Sequence, residues 1–156
     1  MKRIENTSMQ IRIATISDID QLSQLFDQYR VFYRKTSDIN GAKEFLVSRI
    51  EQQDSVIYVS ESADGNLNGF VQLYPLFSST RMQKLWLLND LFVTQSSRGL
   101  GISKALIERA KQLVLDTSAA GMFLETEVSN DIGNSLYPRC GFTLNSASNF
   151  YEWSLK

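Results

Sequence analysis

Histidine is absent from the 156 residues, and Cys140 is the single cysteine. The missing imidazole removes the commonest general base, so any proton transfer falls to Asp, Glu, Tyr, Lys or water. A lone thiol forms no internal disulfide, and structural zinc or thiol–imidazole catalysis needs partners this chain lacks. Cys140 stands before Gly141-Phe142 at an expected helix end and reads as core. Neither sign of charge is in excess, with 16 basic against 17 acidic residues, so a surface for polyanions such as nucleic acid is not expected. No apolar run is long enough to span a membrane, and Met1-Lys2-Arg3-Ile4-Glu5-Asn6 lacks the apolar core of a signal peptide. These features predict a cytoplasmic protein. The length suits one domain, predicted over 1–156.

What is present is organised around Leu85-Trp86-Leu87-Leu88-Asn89-Asp90-Leu91-Phe92-Val93. So apolar a run reads as a strand buried on both faces. The segment Thr94-Gln95-Ser96-Ser97-Arg98-Gly99-Leu100-Gly101 then leads into a helix predicted over 99–118. Its apolar Ile102, Ala105, Leu106, Ala110, Leu113 and Val114 form one stripe. A strand, a glycine loop and a helix N-terminus suit an anion. Glycines let a phosphate approach the backbone, and the unpaired amides and dipole of the first turn attract it. A charge-assisted bond of this kind is worth roughly 1.5–3 kcal/mol. The dinucleotide pattern is nevertheless incomplete, with Lys104 at its third glycine, and no P-loop Gly-Lys-Ser/Thr occurs.

Arg98-x-x-Gly101-x-Ser103 resembles the Arg/Gln-x-x-Gly-x-Gly/Ala loop of the GNAT superfamily of N-acetyltransferases. Downstream, Asn130-x-x-Gly133-x-x-Leu136-Tyr137-x-x-x-Gly141-Phe142 is similar to that family's second signature. The resemblance implies an α/β fold with a mixed central sheet of six to seven strands and four helices, the fourth and fifth strands parallel and splayed. It implies acetyl-CoA as cofactor. Its pyrophosphate would meet Arg98, Gly99, Leu100, Gly101, Ile102 and Ser103, and its pantetheine arm the backbone of Leu91, Phe92 and Val93, with Asn130 assisting. A homodimer through the C-terminal strands is also implied.

Along the chain, residues 10–14 alternate as a first strand, and Ser17-Asp18 precedes a helix carrying Ile19, Leu22, Phe26, Tyr29 and Tyr33. A second helix carries Ala42, Phe45, Leu46 and Ile50. Residues 56–59 and 69–74 form a hairpin through Asp64-Gly65, with Pro75 closing the later strand. After the central strand and its helix, 122–128 alternate as a fifth strand. A helix over about 131–140 puts Ile132, Leu136 and Cys140 on one stripe, and Pro138 should shorten or kink it near Tyr137. Residues 142–144 and 150–155 are predicted as two final strands.

In the family that this chain resembles, the tyrosine matching Tyr137 protonates the leaving thiolate. Acceptor amines lie near the first helices, which here supply Tyr29, Phe32 and Tyr33; Tyr74 and Asn89 are further candidates for that cleft. An alkylamine has a pKa near 10, so freeing its lone pair at neutral pH costs roughly 4 kcal/mol, which a carboxylate base relieves. Some relatives carry an acid where this chain has Asn89, and an amide takes no proton. Asp90 is the neighbouring acid but faces the opposite side of a regular strand, unless a bulge re-aims it. It reads either as a structural acceptor or as a functional acid. Glu125 and Glu127 are reserve bases. The leading reading is direct acetyl transfer from acetyl-CoA to a primary amine. The alternative is a non-catalytic acyl-CoA-binding module. No metal is expected.

Overall fold

The computed structural model describes residues 9–156. The N-terminal segment 1–6, read above for a leader, lies outside them. The chain divides into two compact units, the first running to Glu125 and the second from Thr126.

The first unit is a five-stranded sheet in the order β1-β2-β3-β4-β5, with β1 at Gln10–Ile13, β2 at Val56–Glu61, β3 at Leu67–Ser78, β4 at Gln83–Val93 and β5 at Met122–Phe123. The first four strands are antiparallel to their neighbours, and β5 joins β4 in parallel. Two helices, α1 (Ile19–Phe32) and α2 (Ile39–Gln52), cover one face. Leu22, Leu25 and Phe26 from α1 and Ala42 and Leu46 from α2 bury against Ile57, Val59, Phe70 and Phe92 of the sheet. A fully buried side chain such as Leu22 contributes about 1.5–3 kcal/mol relative to exposure.

The opposite face carries α3 (Ile102–Asp116). It packs closely, because a Cβ on Gly69 of β3 would lie 3.2 Å from Ile102 and 3.3 Å from Leu106. Arg109 of α3 stacks over Tyr58, and the Trp86 indole N–H donates to Thr117 Oγ1 just past the helix end.

Two local devices fix the entry to α1 and α2. Arg12 donates to both oxygens of Asp18 at 2.8 Å and also pairs with Glu61. Asp18 additionally accepts from the Thr15 amide, so it closes the short turn before α1. Asp27, buried on α1, accepts from the Ser37 hydroxyl and the Asp38 amide, while Asp38 Oδ1 caps α2 through the Gly41 amide.

Several boundaries depart from the sequence reading. The helix predicted over 99–118 begins at Ile102, because Gly99 and Gly101 both adopt φ of +79°, which no right-handed helix accommodates. β3 runs through Pro75 to Ser78 instead of closing there. Its pairing with β2 ends at Leu73, so a residue without an N–H is tolerated beyond that point. β5 pairs at only two positions, Trp86 with Met122 and Leu87 with Phe123. The next residues of β4 lead into a bulge, where the regular ladder stops.

The second unit contains α4 (Asp131–Arg139). Pro138 is the penultimate residue of this nine-residue helix, so the bond it withholds falls in the last turn and the helix is short. The helix closes with the amides of Gly141 and Phe142 donating to the carbonyls of Pro138 and Tyr137, Gly141 taking φ of +89°. Cys140 is buried as expected, whereas Ile132 is exposed, so the predicted stripe is incomplete. The two final strands do not form. Residues 142–144 and 150–155 have no ladder partner among the described residues, and Leu144, Phe150, Tyr151, Trp153 and Leu155 are exposed. Alternation marks a face but makes no strand without a neighbour to bond. The sheet therefore has five strands, not six to seven. Among the described residues no helix is long and apolar enough to cross a membrane.

Candidate active site

The register of β3 against β4 shifts between Gln72 and Leu73. Gln72 pairs with Asp90 and Leu73 with Leu88, which leaves Asn89 as the extra residue. One extra residue inverts the alternation of side chains along a strand. Before it, Trp86 points to the α3 side, where it bonds Thr117. Beyond it, Phe92 points to the α1 side, packing with Phe70 and Tyr29 at ring distances of 6.5 and 6.3 Å. Asp90, two residues earlier in the same phase, shares that side. The condition set out from the sequence is met: a bulge turns the acid toward the first helices.

Asp90 is 5% exposed and fully engaged. Its Oδ2 accepts from Gln72 Nε2 at 2.8 Å and its Oδ1 from Asn89 Nδ2 at 3.0 Å. Burial pushes the carboxyl above its ordinary value, and hydrogen bonds from Gln72, Asn89 and the Tyr29 hydroxyl partly offset that push. Tyr29 also reaches the Asn89 carbonyl at 3.3 Å. Tyr74, half-buried on β3, is pushed up to about 12 by burial, then by the charge of Asp90 and of Asp54, against the opposing Arg49. An acid raised above its ordinary value by burial, with polar partners on both oxygens, is suited to take and return a proton.

Tyr29 stacks edge-on with Tyr33 and Phe70, and Phe32 with Tyr33, making a continuous aromatic wall at the end of α1. The Arg98 guanidinium lies 6.0 Å from the Phe32 ring and its Nε donates to the Val93 carbonyl, tying the loop to that wall and to the strand end. Beside it is an open hollow of about 550 Å³ lined by Gln28, Thr94, Gln95 and Ser96.

Past Leu87, β5 has ended, and the edge of β4 that carries the backbone of Leu91, Phe92 and Val93 has no β5 partner. The loop then presents Gly99, Leu100 and Gly101 to solvent, with Ile102 buried and Ser103 half-buried at the start of α3. A Cβ built on Gly99 or Gly101 meets nothing within 4 Å, so these glycines front open space that a side chain would occupy. No side chain caps α3, and no acid neutralises its first turn. An uncapped, positive helix end behind a glycine cradle fits a diphosphate.

In the second unit, Asn130 caps α4, its Oδ1 accepting from the Gly133 amide at 3.1 Å and its Nδ2 donating to Thr126. Tyr137 is half-buried on α4, its ring 5.8 Å from that of Phe142. Glu125 is exposed and Glu127 half-buried, and neither lies in a strand as predicted.

The structure thus brings Tyr29, Tyr74, Asn89 and Asp90 together, with Phe32 and Tyr33 continuing the wall. It adds two residues that the sequence reading passed over, Gln72 and Ser55. A glutamine inside the apolar run Gly69-Phe70-Val71-Gln72-Leu73 was the available signal, since a buried amide demands partners. Among the described residues no cluster of His, Cys, Asp or Glu could hold a metal ion.

The first unit is an α/β domain whose parallel strands β4 and β5 pair no further than Leu87. The family model described as acetyltransferase (GNAT) family matches residues 20–142. The chain belongs to that family and is an enzyme of the N-acetyltransferase class. An uncharacterized N-acetyltransferase, YhfO, of Bacillus subtilis (strain 168) is 42% identical over 134 residues, covering 86% of this chain and 89% of the relative. A crystal structure of a probable acetyltransferase superposes with a TM-score of 0.90 at 34% identity, over 95% of this chain and 99% of the other. The aminoglycoside N-acetyltransferase AAC(6')-Iy in complex with CoA shares the fold, with a TM-score of 0.82 at 17% identity over 99% and 100% of the two chains.

Proposed function

We propose that the protein transfers the acetyl group of acetyl-CoA directly to a primary amine, with Asp90 as general base and Tyr137 as general acid. The observation that carries this reading is the bulge at Asn89, which turns a buried, raised-pKa carboxylate toward the aromatic wall. The cofactor supplies an activated thioester. The amides from Gly99 to Ser103 and the Arg98 guanidinium receive its diphosphate, and the β4 edge at Leu91, Phe92 and Val93 offers backbone groups to its amide arm. Asn130 orders the start of α4.

Tyr29, Phe32, Tyr33, Tyr74 and Asn89 line the approach of the acceptor. Asp90 takes a proton from the ammonium, directly or through one water, leaving the nitrogen lone pair free. As the C–N bond forms and the C–S bond breaks, the Tyr137 hydroxyl gives its proton to the departing sulfur, the second nitrogen proton is relayed through water to restore the phenol, and Asp90 releases the first to solvent. A base of this kind contributes about 10²–10⁴-fold. Asn89, an amide, orients Asp90 and moves no proton.

The test is release of free thiol from acetyl-CoA with a panel of primary amines: spermidine, lysine, a peptide with a free N-terminus and an aminoglycoside. Turnover with at least one, lost in Asp90→Asn, is the expected result. Full turnover in Asp90→Asn overturns the assignment of the base.

A further inference from the structure

Gln72 has no exposed surface, and its neighbours Val71 and Leu73 on β3 are equally buried. A primary amide at such a position costs several kcal/mol unless both its ends are bonded, and an apolar side chain of the same length would fill the space without that demand. Both ends are bonded here. The Ser55 hydroxyl, at the half-buried entry to β2, donates to Gln72 Oε1 at 2.9 Å, which directs Nε2 to Asp90 Oδ2 at 2.8 Å. Ser55 thereby sets which way round the amide sits. The remaining groups that face Asp90 are the Tyr29 hydroxyl from α1, the Asn89 amide from its own strand and the Tyr74 hydroxyl from β3, with Arg49 and Asp54 acting on Tyr74.

We propose that Gln72 is a positioning residue: clamped by Ser55, its amide pins Oδ2 of Asp90 and leaves Oδ1, bonded to the exposed Asn89, as the oxygen that exchanges partners during the reaction. This rests on the reading of Asp90 as the base. The pinned bond favours the ionised carboxylate, so its loss raises the acid's titration further.

The experiment follows the Asp90 carboxyl directly by ¹³C NMR against pH, assigned with Asp90→Asn, in the wild type, Gln72→Met, Ser55→Ala and the double variant. It is read beside the pH profile of kcat/KM for whichever amine of the panel above turns over. Gln72→Met is expected to move both the titration and the acid limb up by about one pH unit. Ser55→Ala is expected to move them the same way by less, and to add nothing once Gln72 is Met. A titration unmoved in a folded Gln72→Met protein overturns the proposal, as does a Ser55→Ala shift that persists in full in the double variant. A moved titration with an unmoved kinetic limb upholds the hold of Gln72 on Asp90 and overturns Asp90 as base. Should Gln72→Met not fold, Gln72→Leu gives the same readings.

Discussion

Gly101→Ala isolates the glycine cradle from the rest of the site. At φ of +79° an added Cβ crowds the following carbonyl oxygen, a cost of about 1–2 kcal/mol for an L-residue. No other atom lies within 4 Å of the added methyl, so no clash is added to that conformational cost. For a chain of this size the loss lowers Tm by roughly 2–8 °C. The same methyl occupies the space that a diphosphate must enter to reach the amides of Ile102 and Ser103. Losing one charge-assisted amide bond costs about 1.5–3 kcal/mol, or roughly ten- to hundredfold in Kd. Chemical denaturation gives the first quantity and isothermal titration with acetyl-CoA the second, with Gly99→Ala in parallel. A destabilised Gly101→Ala protein that binds acetyl-CoA as tightly as the wild type refutes the cradle.

Other perturbations separate stability from chemistry. Asp90→Asn should lower kcat/KM at least hundredfold yet leave the protein as stable at neutral pH or more so. A carboxyl raised by burial favours folding below its ordinary value, and that contribution is lost as pH rises through the raised value; denaturation midpoints against pH check this. Asp18 behaves oppositely, since the Arg12 guanidinium holds it below the ordinary range, so its contribution is present above that range and disappears as pH falls through its lowered value. Arg12→Gln should cost about 1–3 kcal/mol near neutrality and flatten the loss of stability below about pH 4, read in the same titration. Tyr137→Phe should reduce kcat while leaving the acetyl-CoA Kd unchanged, measured by thiol release and calorimetry.

The central strand, the glycine loop and the helix behind it were legible because each is a local signal: an apolar run, two glycines, a 3.6-residue stripe. The first two helices and the Asp64-Gly65 hairpin were legible for the same reason. The phase of Asp90 was not. Whether Asn89 bulges depends on how β3 pairs with it, and pairing is a property of two strands together. Gln72 and Ser55 escaped for a related reason, since the bond between them spans 17 positions and no spacing rule connects them. The two final strands expected over 142–144 and 150–155 do not form, because apolar residues such as Phe150, Tyr151 and Trp153 make a strand only beside a neighbour to bond, and no local signal supplies one.

The bulge makes the side on which the acid sits a matter of counting. Were Asn89 held in the ladder opposite Gln72 with no residue bulged out, the carboxylate would rotate into the apolar layer against α3, and Leu91 and Val93 would replace Asp90 and Phe92 beneath the tyrosines. Removing Asn89 would instead join Leu88 to Asp90 in an even ladder and keep the acid opposite Gln72, on its present side. Whether one residue is paired or passed over thus separates a chain with a base beside its acceptor wall from one whose acid is buried on the wrong side of the sheet, although the overall folds would be nearly indistinguishable.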